Sequence, residues 1–157
     1  MDELLQSLSD WRVAAALRQP GAAYPLLSAA HIFSIALLVG AITTLDLRLL
    51  GLFRSHAVGA LGPPLSRVAA VGVVFALVSG FMLFVVRPAE YAGNAAFLTK
   101  LGLVTMGVVN ALIVRRSPHW TRALAGEDVP LALKLPALLS LVIWIGALVA
   151  GRWIAFA

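Results

Sequence analysis

Few residues in this chain can do chemistry, and most of them sit in apolar surroundings. His31 lies in a run from Pro25 to Leu45 that holds no Asp, Glu, Lys or Arg. Six residues past Pro25, it falls roughly 9 Å down a helix that rises 1.5 Å per residue. An ionisable group at such a depth is a functional candidate by default, and imidazole ligates haem iron, copper and other metals. Lys100 lies a few residues into a later apolar run. Ser79 and Met82 stand a similar distance from the end of the run between, and Arg152 is near the end of the last. If successive runs cross in alternate directions, His31, Met82, Lys100 and Arg152 share one layer. Such a set suits a b-type haem. His31 would ligate the iron, Lys100, Arg87 or Arg152 would pair with the propionates, and Met82 would offer a thioether to a sixth position that can equally stay open. The plain alternative is a neutral histidine bonded to a neighbouring hydroxyl or carbonyl, with methionine filling gaps and arginines snorkelling.

The setting is hydrophobic. Of 157 residues, 61% are hydrophobic and 12% charged, about half the charged share of an ordinary soluble domain. The chain has no cysteine, which excludes disulfides, thiolate metal sites, iron–sulfur clusters and c-type haem attachment. The net charge of +5 does not indicate nucleic acid, because the cations cluster where helices end. The acidic start Met1-Asp2-Glu3 lacks the basic region of a signal peptide, so the N-terminus is expected to be retained. No carboxylate pair lies within the apolar runs, which argues against a proton-pump relay. Neither a Gly-rich phosphate loop nor a Gly-x-Ser-x-Gly nucleophile elbow occurs.

The elements that must position these residues are all helical. Residues 1–20 read as an amphipathic interfacial helix, with Leu4, Leu5, Leu8, Trp11 and Ala15 at helical spacing. Residues 21–157 read as a transmembrane four-helix up-down bundle with spans at 25–50, 68–86, 95–114 and 135–155. Gly59 to Pro64 reads as a turn, and His56 and His119 fall in loops where a paired second site is conceivable. Seven cations (Arg48, Arg54, Arg67, Arg115, Arg116, Arg122, Lys134) flank one side of the spans and five (Arg12, Arg18, Arg87, Lys100, Arg152) the other. The positive-inside rule then places both termini outside a bacterial inner membrane. Small residues recur every four positions, as Ala36, Gly40, Thr44 and as Gly72, Ala76, Gly80, and predict close helix contacts. Asp46 is expected to pair with Arg67 or Arg115. Asn110 is expected to bond across helices, Trp11, Trp120, Trp153 and Tyr91 to anchor at the interface, and Trp144 to pack or wall a pocket.

The stretch from Ser66-Arg67-Val68 to Ser79-Gly80, then Tyr91-Ala92-Gly93 through Lys100 to Asn110, resembles the copper-resistance D (CopD) membrane family. The first span, with His31, Gly40 and Asp46-Leu47-Arg48-Leu49-Leu50-Gly51, resembles small four-helix bacterial membrane proteins of the same broad group. A first-span His with a third-span Lys is also similar to the HemJ-type protoporphyrinogen oxidases, which are four-helix haem proteins. The resemblance implies His31 as haem ligand and Lys100 as a functional cation, and leaves catalysis open.

Three functions follow as expectations. The first is a small b-type cytochrome-like bundle that holds haem b and transfers electrons, as a homo-oligomer or a subunit of a larger membrane complex. The second is a copper-handling membrane protein using His31, Met82 and Met106. The third is an accessory subunit without chemistry.

Overall fold

A computed structural model describes residues 6–7, 9–154 and 156. Regular structure among them is helical: α1 (Arg12–Arg18), α2 (Ala23–Leu50), α3 (Val58–Phe84), α4 (Pro88–Ala92), α5 (Ala95–Arg116), α6 (Pro118–Leu124) and α7 (Leu131–Trp153). Of these, α2, α3, α5 and α7 are long and apolar enough to cross a membrane. They run up and down in sequence. The chain is a multi-pass membrane protein with a terminal end, where α2 and α5 begin, and a loop end, where α3 and α7 begin. Leu4, Leu5 and Leu8 of the expected interfacial helix lie outside the described residues. Arg12–Arg18 is helical, and Arg18 ties it back to Ser9 through the Ser9 hydroxyl and carbonyl.

Local signals account for several boundaries. The α2 helix stops at Gly51, whose φ of 109° is left-handed, and the Leu52 N–H reaches back to the Leu47 carbonyl at 2.9 Å. This is the usual glycine stop. Asn94 opens α5 by accepting from the Phe97 N–H at 3.1 Å. Ser117 does the same for Trp120 at 3.2 Å, with Pro118 at the first helical position.

Three expectations are corrected. Gly59 to Pro64 is no turn, because α3 already begins at Val58 and carries Pro63 and Pro64 inside it. The prolines remove only the amide bonds to the Gly59 and Ala60 carbonyls, at the helix entrance. Packing against α6 holds this turn in place: a Cβ on Gly62 would meet Trp120 at 3.0 Å and Leu124 at 3.1 Å. For the same reason Trp120 is a core residue rather than an interface anchor, with 7% of its surface exposed. His119 lies on α6 and not in a loop.

The helices form three seams. The α2 helix packs along α3 and along α7, and α7 packs along α5, whereas α3 and α5 share no comparable seam. The fourth side of the bundle is therefore open. Glycines make two seams close. A Cβ on Gly72 would sit 2.7 Å from the Leu38 backbone nitrogen, and one on Gly107 2.7 Å from the Trp144 ring. The Ala36–Gly40–Thr44 stripe does not pack as expected: Gly40 is exposed and has nothing within 4 Å. The buried face of α2 is instead Ser34, Leu38, Ala41, Ile42 and Leu45.

Candidate functional site

Two polar clusters lie inside the bundle, one near each end. The terminal cluster centres on His31. Its Nδ1 lies 2.9 Å from the Ser79 hydroxyl on α3. That hydroxyl has a single proton, donated to the Phe75 carbonyl at 2.6 Å. This network assigns the imidazole N–H to Nδ1, and the ring also bonds to the Ala76 backbone. Gly80 allows this approach, since a Cβ there would stand 3.0 Å from the His31 Cε1. Lys100, half-buried on α5, is close enough to act electrostatically on the ring. Its stem lies along α7, where a Cβ on Gly151 would meet it at 3.4 Å. His31, Ser79 and Lys100 thus stand together, with Gly151 of α7 beside the Lys100 stem.

Of the other residues expected in this layer, Arg87 and Arg152 are engaged elsewhere. Met82 lies three residues past Ser79, a neighbour on the same side of α3 one turn nearer the helix end. Arg87 is exposed and pairs with Glu90 at 3.4 Å. The Arg152 guanidinium stacks over Phe156, 5.0 Å from the ring centroid. Met106 is exposed on α5. Just outside the spans, Tyr91 packs on Phe97 with centroids 5.4 Å apart. Burial, together with the neighbouring Tyr24, pushes its phenol above the usual tyrosine range.

The loop-end cluster was not foreseen as a site. A cavity of about 150 Å³ opens between α3 and α5, over a floor made by α2 and α7. Its polar lining is Asp46, Ser66, Asn110, Ser140 and the Trp144 indole, with Arg115 also on the wall. The pairing expected of Asp46 with Arg67 or Arg115 is corrected: among the described residues the ion pair is Arg87–Glu90, Ser140 stands beside the Asp46 carboxylate, and Arg48 donates to the His56 carbonyl at 2.6 Å. Asp46 is only 4% exposed, and its Oδ2 has no protein partner. Trp144 is 3% exposed, and its Nε1 is likewise unpartnered. Asn110 does bond across helices, donating to the Pro136 carbonyl at 3.1 Å. Ser66 and Ser140 could not be singled out beforehand, because a lone serine in an apolar run bonds its own helix as readily as a neighbour. Asp46 did carry a signal, as a carboxylate ending an uncharged run. Among the described residues, no three of His, Cys, Asp and Glu stand together as a metal site.

Comparison with known proteins yields one match, to the model of a family of unknown function (DUF6644), over residues 18–157. No curated protein and no solved structure matches.

Proposed function

The chain belongs to DUF6644, a family without a known function, and from its own geometry we propose that it is a membrane haem b-binding protein with an electron-transfer role. The observation that carries this reading is the 2.9 Å contact of His31 Nδ1 with the Ser79 hydroxyl. A ligand histidine needs a free nitrogen and a partner for the other, and that partner orients the ring and raises its basicity. Nδ1 is engaged by Ser79, leaving Nε2 as the candidate ligand atom. Lys100 stands in the same layer, where an ammonium can neutralise a propionate. The open side between α3 and α5 offers a flat ring a way in. These residues fit the group; Arg87, paired with Glu90, and Arg152, stacked on Phe156, drop out of the ligand set. The pairing of a first-span His with a third-span Lys is also the feature that resembles the HemJ-type proteins.

Haem, when bound, supplies one-electron chemistry. The chain's own share is to hold the imidazole by Ser79, to balance charge with Lys100 and to keep the layer dry. By the positive-inside rule, seven cations against five put the loop end in the cytoplasm of a bacterial cell and both termini outside. The redox layer would then lie in the outer leaflet of the inner membrane, facing a partner subunit or a second copy.

The test is the visible spectrum of detergent-extracted protein from cells supplied with haem precursor. A Soret band is expected, lost in His31→Ala and weakened in Ser79→Ala, since loss of such a supporting partner costs about 10–100-fold in affinity. Full haem in His31→Ala, or copper bound without haem, would overturn the assignment.

A further inference from the structure

The second cluster is separate from the His31 layer. Asp46 lies fifteen residues further along α2, roughly 22 Å away at 1.5 Å per residue, and nothing in the redox reading uses it. We propose that the cavity between α3 and α5 binds the hydroxyl head of an amphipathic alcohol or phenol that enters sideways from the bilayer.

Two atoms select the class. Asp46 Oδ2 and Trp144 Nε1 both lack a protein partner, and both residues line the cavity. A buried polar atom left unsatisfied costs free energy comparable to a lost hydrogen bond or more, so each such atom needs an explanation. The indole can only donate, and a carboxylate accepts. The two residues are also near one another. Ser140 stands beside Asp46, and Trp144 follows Ser140 by four residues on α7, so Ser140 and Trp144 are neighbours on one face. One small head group beside Ser140 is therefore placed to serve both residues.

A hydroxyl does so by donating to Asp46 and accepting from Trp144. An ammonium would satisfy only the carboxylate, and Arg115 on the same wall repels it. A ketone or ester only accepts, so it would satisfy the indole and leave the Asp46 carboxylate without a donor. The rest of the lining suits an apolar tail: Ala69, Val73 and Val108 face the same space. Because α3 and α5 share no seam, a tail has an exit to the acyl chains and the ligand need not cross water.

The proposal is tested on the full chain in lipid nanodiscs with a diazirine-bearing octanol, mapping crosslinks by mass spectrometry. Saturable labelling of α3 and α5 at the cavity is expected, displaced by dodecanol and not by dodecane. Asp46→Leu should abolish it. Trp144→Phe keeps the ring and removes only the N–H, and should weaken it about tenfold, one net hydrogen bond. Asp46→Asn still donates and accepts, and should stay within about threefold. Should Asp46→Leu fail to fold, the Trp144→Phe and Asp46→Asn pair decides. Labelling that is not saturable, that a diazirine alkane reproduces, or that Trp144→Phe leaves unchanged would mean a lipid-filled groove and overturn the idea. No labelling at the cavity would mean water alone and do the same. Stronger labelling by the matching diazirine amine would overturn the hydroxyl class. Haem content is read in parallel in every variant and is expected not to change, so failure of this site and failure of the redox reading remain distinguishable.

Discussion

At the scale of single residues, two glycines that look alike in the sequence have opposite meanings. Gly72 lies where the backbones of α2 and α3 nearly touch, and a methyl there would stand 2.7 Å from the Leu38 nitrogen. Backbone cannot step aside as a flexible side chain can. Gly72→Ala should destabilise the protein by about 1–3 kcal/mol, the usual cost of overpacking, read as a lower unfolding midpoint in detergent. Gly40→Ala should be neutral or slightly stabilising, because nothing lies within 4 Å and alanine is the better helix former. Equal effects of the two would contradict the seam described here. Tyr91 gives a test against pH. Its phenol stays neutral to higher pH in the folded chain than its ordinary value of 10.0. The unfolded chain therefore releases that proton first, and stability is lost as pH rises above about 10 through the raised folded value. Thermal melts between pH 9 and 11 should show the loss in the parent and a flatter profile in Tyr91→Phe.

At the scale of elements, the sequence reported the four crossings well and their ends poorly. Uncharged runs are a strong signal, because a bilayer tolerates few alternatives. The error at Gly59 to Pro64 came from reading Gly and Pro as breakers, when burial of Gly62 beneath Trp120 and Leu124 outweighs local propensity. The depth of His31, Ser79 and Lys100 was legible, since depth follows from counting. The hydrogen bond from His31 to Ser79 was not, because it depends on which face of α3 meets α2, and nothing local states that. The charge on Arg87 and Arg152 was visible, but their nearer partners, Glu90 and Phe156, satisfy them at the surface. Asn110 is the link between α5 and α7 that can be removed cleanly. Asn110→Leu breaks its bond to Pro136 and should cost about 0.6–2 kcal/mol, the range for interhelical hydrogen bonds in membranes. Steric-trap or denaturant unfolding of the two proteins measures it.

At the scale of the whole molecule, the two polar clusters share the open flank. Each is floored by α2, and each reaches across to α5, the membrane-crossing helix with the fewest buried residues. Sequence alone could place the His31 layer by depth. It could not show that the bundle lacks a fourth seam, because every span carries small residues that promise close contact. Orientation is the prediction proper to this scale. A cysteine placed at Ser55 should be shielded from an impermeant thiol reagent added outside intact cells, and one placed at Ala89 should react. The reverse pattern would invert the assignment of leaflets made from the cations.

A bundle with three contacts instead of four behaves like a book with one spine. The α2–α3 and α5–α7 pairs are the covers, and the α2–α7 line is the binding about which they swing. The natural chain has no cysteine, so spin labels can be placed at will. Labels at Val74 and Val109, exposed on α3 and α5, should give a broad distance distribution. Labels at Ile32 and Val78, exposed on the tightly joined α2 and α3, should give a narrow one.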